Sequence, residues 1–156
     1  MRLAATLASA LLSLAMAASA AAALSPDKPT VLITGANRGI GLEFVRQYAA
    51  ADYNVIATTR DAAKATELAE LAKADKRIVV EALDVTDHAG VDALAAKYKD
   101  QPIDLLLSNA AITPRLQTAY TGKAEAVNYD VARRSFETNA LGALKVATAF
   151  LPNVIA

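Results

Sequence analysis

The stretch Thr34-Gly35-Ala36-Asn37-Arg38-Gly39-Ile40-Gly41 sets three glycines and one guanidinium between a short apolar run and a segment with helical periodicity. A strand ending at Thr34-Gly35 aims its carboxyl end at the start of the next helix, where unpaired backbone N–H groups and the positive dipole end receive a phosphate. Gly35 permits the sharp turn, Gly39 removes a side chain where a pyrophosphate would lie, and Gly41 lets the helix pack closely on the sheet. The spacing predicts a dinucleotide cradle, on condition that a strand precedes it and a helix follows.

Dinucleotide sites usually bind the ribose hydroxyls with an acidic residue about 20 residues past such a loop. This chain has Thr58-Thr59-Arg60 there instead. With no acid at the strand end and two guanidinium groups, Arg38 and Arg60, suited to a 2′-phosphate, NADP is favoured over NAD. The other reactive side chains do not assemble into a centre. Tyr120-Thr121-Gly122-Lys123 has the wrong spacing for a catalytic pair, Ser135 falls on a predicted helix, and His88 follows a helix-capping aspartate with no nucleophile near it in sequence. There is no cysteine, and a single histidine argues against a metal site built from protein ligands. Sixteen basic and sixteen acidic side chains cancel without forming blocks, which argues against nucleic acid or anionic lipid and for a small-molecule partner.

The elements that must position these residues alternate. After Ser25-Pro26-Asp27-Lys28-Pro29, which neither continues a helix nor pairs as a central strand, Thr30–Thr34 reads as a strand buried on both faces. Ile40, Phe44, Val45 and Tyr48 recur at helical spacing. Asn54–Thr59 is a second strand, and Asp61 is placed to cap the helix carrying Leu68 and Leu71. Arg77–Leu83 gives a third strand, followed by a helix opened by Thr86 or Asp87 and marked by Val91, Leu94, Ala95 and Tyr98. Ile103–Ser108 is a fourth strand. A long connection from Ala110 to Asn128 suggests a functional loop, and a last helix runs from about Asp130 to Phe150 with Val131, Phe136, Ala140, Ala143, Leu144, Ala147 and Leu151 along one side. Four β-α units with right-handed crossovers predict an α/β fold, a Rossmann-type doubly wound parallel sheet in the order 3-2-1-4.

The first 24 residues stand apart. Arg2 is followed by an apolar, alanine-rich run with no charge until Asp27, and Ala18-Ser19-Ala20 matches a cleavage signal, so an export signal peptide is expected, with a periplasmic or secreted product. A membrane anchor, or a start at Met16 that leaves a disordered leader on a cytoplasmic protein, are the alternatives. Residues 25–156 then form the single domain.

The spacing TGxxxGIG, rather than GxGxxG, resembles the short-chain dehydrogenase/reductase family. Leu83-Asp84-Val85-Thr86 is similar to the family's segment after the third strand, Ser108-Asn109-Ala110-Ala111 to its NNAG, and Asn139 in SFETNALGAL to its catalytic asparagine. Within the family, TGANRGIGLEFVRQYA and YDVARRSFETNALGAL are similar to the C-factor-like and sniffer-like carbonyl reductases. The resemblance implies that Asp84 contacts adenine, that Asn37, Ile40, Val85, Asn109 and Ala110 also line the coenzyme, and that Asn139 holds a water in a proton relay. It implies an NADP-dependent oxidoreductase acting on a carbonyl or alcohol, homo-oligomeric when complete.

Two departures from NNAG, Ser108 and Ala111, bear on the turn after the fourth strand and on its packing against the coenzyme. The family's chemistry also needs a serine on a fifth strand and a Tyr-x-x-x-Lys helix, and neither occurs before Ala156. The chain therefore reads as the coenzyme-binding part of such an enzyme with the C-terminal half missing, expected to bind NADP weakly without hydride transfer and to self-associate through the apolar edge of its fourth strand. The alternative is a non-catalytic nucleotide-binding or interaction module that a partner completes.

Overall fold

The computed structural model describes residues 24–113 and 128–155. The expected leader, and Tyr120 and Lys123, lie outside the described residues. Four strands, β1 (Thr30–Ile33), β2 (Asn54–Thr59), β3 (Ile78–Ala82) and β4 (Leu105–Leu107), pair in parallel in the order β3-β2-β1-β4. β1 and β2 are buried along their whole length, as β-branched runs in the middle of a parallel sheet must be.

Alternation along β1 and β2 splits the core between the two faces. Val31, Ile33, Val55 and Ala57 face one way and meet Leu42 and Val45 of α1 (Gly39–Ala50) and Leu68 of α2 (Thr66–Ala74). Leu32 and Ile56 face the other way and meet Val91 and Leu94 of α3 (His88–Lys97), with Val146 and Phe150 of the last helix. Helices thus cover both faces, the doubly wound arrangement that the alternation of elements predicts.

The lower edge of the sheet, opposite the glycine-rich loop, is tied by polar groups. Asn54 is fully buried; its Oδ1 accepts from the Ser25 N–H at 2.8 Å, and its Nδ2 donates to the carbonyls of Ser25 at 2.8 Å and Lys28 at 3.1 Å. The segment entering β1 is therefore knitted into the sheet, and Leu24 packs against the second face of the core.

Two sequence expectations change. Asp61 caps not the helix of Leu68 and Leu71 but a separate 3₁₀ turn, Ala62–Lys64, its carboxylate accepting from Lys64 N–H, while α2 starts at Thr66 behind Ala65. The last helix runs as α4 (Tyr129–Phe136), a π-helical segment (Glu137–Gly142) and α5 (Ala143–Val154). Its core face carries Thr138, Gly142, Val146 and Phe150, whereas Phe136 is 61% and Leu144 60% exposed. The side on which the sequence lines up Phe136, Leu144 and Leu151 is the one turned away from the core. Helical periodicity identifies an amphipathic surface without saying what covers it, and the sheet-facing side is built from small or polar residues where it crosses Val85 closely.

Candidate dinucleotide-binding site

At the carboxyl ends of the four strands the backbone continues the sheet by one more rung: Thr34 N–H donates to Leu107 O at 2.9 Å and Ala36 N–H to Thr58 O at 2.8 Å. The loop after β4 is fastened onto the loop after β1. Asn109 Nδ2 donates to Thr34 O at 3.0 Å and Gly35 O at 3.1 Å, and Ala110 N–H donates to Thr34 Oγ1 at 3.0 Å. Asn109 thus holds the shape of the glycine loop. Ser108 and Ala111, the two departures from the expected motif, are both exposed and make none of these bonds, so the turn forms without the residues they replace.

Two glycines are required by space and torsion. Gly39 opens α1 at φ +56°, and a methyl added there would meet nothing within 4 Å, so the helix N-terminus is left bare toward the crevice. Gly41 is the reverse case: a Cβ there would lie 2.2 Å from Gly35 O and 2.6 Å from Asn109 Nδ2. Arg38 at the N-cap makes no side-chain cap and is exposed, which leaves its guanidinium to a ligand.

A cavity of about 570 Å³ opens over this surface, well within the range of small-molecule sites. Gly35, Asn37, Arg38, Ile40 and Gly41 border it from the glycine loop. Arg60 borders it from the segment after β2, Asp84 and Val85 from that after β3, and Asn109 and Ala110 from that after β4. Burial opposes the charge of Asp84, but hydrogen bonds from Thr86 N–H (2.9 Å) and Thr86 Oγ1 (2.7 Å), with Arg60 nearby, outweigh it and hold the carboxyl below the ordinary aspartate value. The residues present fit a phosphorylated dinucleotide: a bare helix N-terminus for pyrophosphate and two exposed guanidinium groups for a further phosphate.

Asn139 stands apart from that lining. Its Oδ1 accepts from Ile112 N–H and its Nδ2 donates to Ile112 O, both at 2.9 Å, so the amide acts like a strand partner for Ile112, and Ile112 borders the cavity. Its place within a π-helical turn, a feature frequent at functional sites, brings it there. His88 is the first residue of α3, capped by Asp87, with Nε2 3.9 Å from Glu137 Oε1; it does not border the cavity.

Several lining residues had no sequence signal. Asp61 and Lys64 border the cavity as an ion pair at 2.7 Å, and Lys64 holds the Asp61 carboxyl below its ordinary value. An acid therefore does stand next to Arg60, but it is already paired. Thr138 closes the wall from the π-helical segment. A strand-end rule finds Arg60 and passes over a side chain that reaches back from the following turn.

Comparison with known proteins agrees with this geometry. A family model described as short chain dehydrogenase matches residues 29–156. The chain is 38% identical over 132 residues to the uncharacterized oxidoreductase YusZ of Bacillus subtilis, covering 82% of this chain and 45% of that one. It is 31% identical over 140 residues to a (+)-neomenthol dehydrogenase of Arabidopsis thaliana, covering 78% and 47%. It thus spans about half the length of these relatives. Among solved structures, an NADPH-bound carbonyl reductase from chicken fatty liver superposes with a TM-score of 0.70 at 33% identity, over 86% of this chain and 51% of that one. The carbonyl reductase Sniffer of D. melanogaster gives 0.72 at 29%, over 81% and 52%. On the family match and on the loop, strand ends and parallel order that embody it, this chain belongs to the short-chain dehydrogenase family.

Proposed function

We propose that the chain carries the NADP-binding part of an oxidoreductase that moves hydride between the coenzyme and a small carbonyl or alcohol, and that on its own it binds NADP weakly without turnover. The carrying observation is Arg60, an exposed cation just after β2 that borders the cavity, where the carboxylate next to it in sequence, Asp61, is paired with Lys64 and that of Asp84 accepts from Thr86. Solved relatives with NADP or NADPH bound support the coenzyme assignment.

The nicotinamide, when bound, would supply the hydride to a carbonyl or accept it from an alcohol. This chain's residues do the rest of the binding: the start of α1 receives the pyrophosphate, Arg38 and Arg60 the 2′-phosphate, and Asp84 with Val85 the base. Asn109 holds the loop, and Asn139 fixes Ile112 at the other end of the crevice. A proton donor for a carbonyl is not found among the described residues. Tyr98 donates to Glu81 at 2.6 Å, and burial together with that carboxylate pushes its pKa upward, the wrong direction for an acid that must exchange its proton near neutrality. Ser135 donates to Val131 O at 2.8 Å and does not border the cavity.

Calorimetric titration of the purified chain with NADPH and NADH tests the coenzyme. A preference for NADPH that falls about tenfold in Arg60→Ala is expected, since charge-assisted hydrogen bonds are worth about 1.5–3 kcal/mol. An unchanged preference in that variant would overturn the assignment. A panel of aldehydes and ketones with NADPH tests the second half; measurable turnover would refute inactivity of the chain alone.

A further inference from the structure

The π-helical segment does more than place Asn139. Four residues before Gly142, on the same face, stands Thr138, 9% exposed, bordering the cavity beside Leu83, Asp84 and Val85. That face lies hard against the end of β3: a Cβ on Gly142 would come 2.8 Å from Val85 Cγ2 and 3.0 Å from Val85 O. Thr138 therefore borders the same cavity as the residues after β3, about one helical turn from the point where the helix meets Val85.

Helical hydroxyls usually donate to the carbonyl one turn back. Ser135 does so to Val131 O at 2.8 Å and Thr148 to Leu144 O at 3.0 Å. Among the described residues Thr138 makes no such bond, and its hydroxyl is not sealed in the core as that of Thr58 is. Among the described residues nothing accepts its proton, and a ligand in the cavity it borders can.

To that cavity the residues after β3 bring two aliphatic side chains and a carboxylate, and the helix brings this hydroxyl. An ionised Asp84 can only accept, which suits the exocyclic amine of adenine. A ring nitrogen of the same base needs a donor, and Thr138 is the neutral side chain among these able to provide one. We infer that Thr138 is a base-recognising residue whose hydroxyl donates to a ring nitrogen of adenine, so that the helix beyond the crevice reads the coenzyme's base. The inference rests on the dinucleotide assignment of the cavity.

The test is calorimetric titration of the full chain with 2′,5′-ADP and its 1-deaza, 3-deaza and 7-deaza analogues, on wild type, Thr138→Val and Thr138→Ser. Wild type is expected to bind one of the three analogues about fivefold more weakly than the parent, the worth of one neutral hydrogen bond. Thr138→Val, of nearly the same shape, is expected to bind the parent about fivefold more weakly and to be indifferent to that deaza substitution, with Thr138→Ser restoring discrimination. If Thr138→Val and wild type show the same ratios for all three analogues, the inference is overturned. Arg60→Ala in the same titration separates the two claims: loss of 2′-phosphate affinity there with no effect of Thr138→Val refutes the base contact alone. Failure of every protein to bind 2′,5′-ADP refutes both.

Discussion

Replacing Gly41 with alanine places a methyl carbon 2.2 Å from the Gly35 carbonyl oxygen and 2.6 Å from Asn109 Nδ2. Normal van der Waals contact is over an ångström longer than the first of these. The oxygen belongs to the backbone of the turn, and the amide that would have to move is the one bridging Thr34 and Gly35, so neither neighbour yields cheaply. Overpacking of this kind costs about 3 kcal/mol, or roughly 10 °C in melting temperature for a domain of this size. Gly39→Ala separates torsion from clash. Its φ of +56° costs an alanine about 1 kcal/mol, but a methyl there meets nothing within 4 Å, so the melting temperature should fall by only about 3 °C. Affinity for NADPH should nevertheless drop about tenfold, because the methyl enters the space kept bare for pyrophosphate. Thermal melting and calorimetry on the two variants form the assay. A Gly41→Ala protein that melts with wild type, or a Gly39→Ala protein that loses about 10 °C, would refute the division of labour between these glycines.

Thr58→Val removes a buried hydroxyl that has no partner among the described residues, and urea melts should show it neutral or stabilising by about 1 kcal/mol. Asn54→Ala leaves the Ser25 N–H and the Ser25 and Lys28 carbonyls without their partner; a loss of about 2 kcal/mol is expected, with faster amide exchange from Ser25 to Lys28 than in wild type. The lowered pKa of Asp84 gives a pH test. A carboxyl whose folded value lies below its unfolded one contributes stability fully above about pH 4 and loses it as pH falls through the folded value. The stability gap between wild type and Asp84→Asn should therefore narrow below about pH 4 and stay level above about pH 5; a gap that widens on acidification would contradict it.

How far the sequence reveals the fold depends on the range of each signal. β1 and β2 are legible nearly to the residue, because both are buried on both faces and a continuous β-branched run of that length fits little besides a central parallel strand. The loop from Thr34 to Gly41 is legible because its spacing is local, and Arg60 because it lies directly after a strand. Asp61 and Lys64 escape, since a 3₁₀ turn folds them back into the cavity and nothing in a propensity pattern announces that. The facing of the last helix escapes for a related reason. Phe136, Leu144 and Leu151 are large and apolar yet exposed, while the contact with Val85 admits only Gly142, and this preference for smallness reads as weakness in a hydropathy pattern.

The π turn from Glu137 to Gly142 is, in effect, an extra residue lodged in an otherwise regular helix. Wound as plain α-helix with the same residues, the segment would turn everything beyond it by about 100° relative to everything before. Either Val146 and Phe150 would leave the sheet, or Asn139 would leave Ile112; the helix could not serve both ends. The wide turn is thus what keeps the two ends of this helix in phase, the sheet-facing residues at one end and the amide that holds Ile112 at the other.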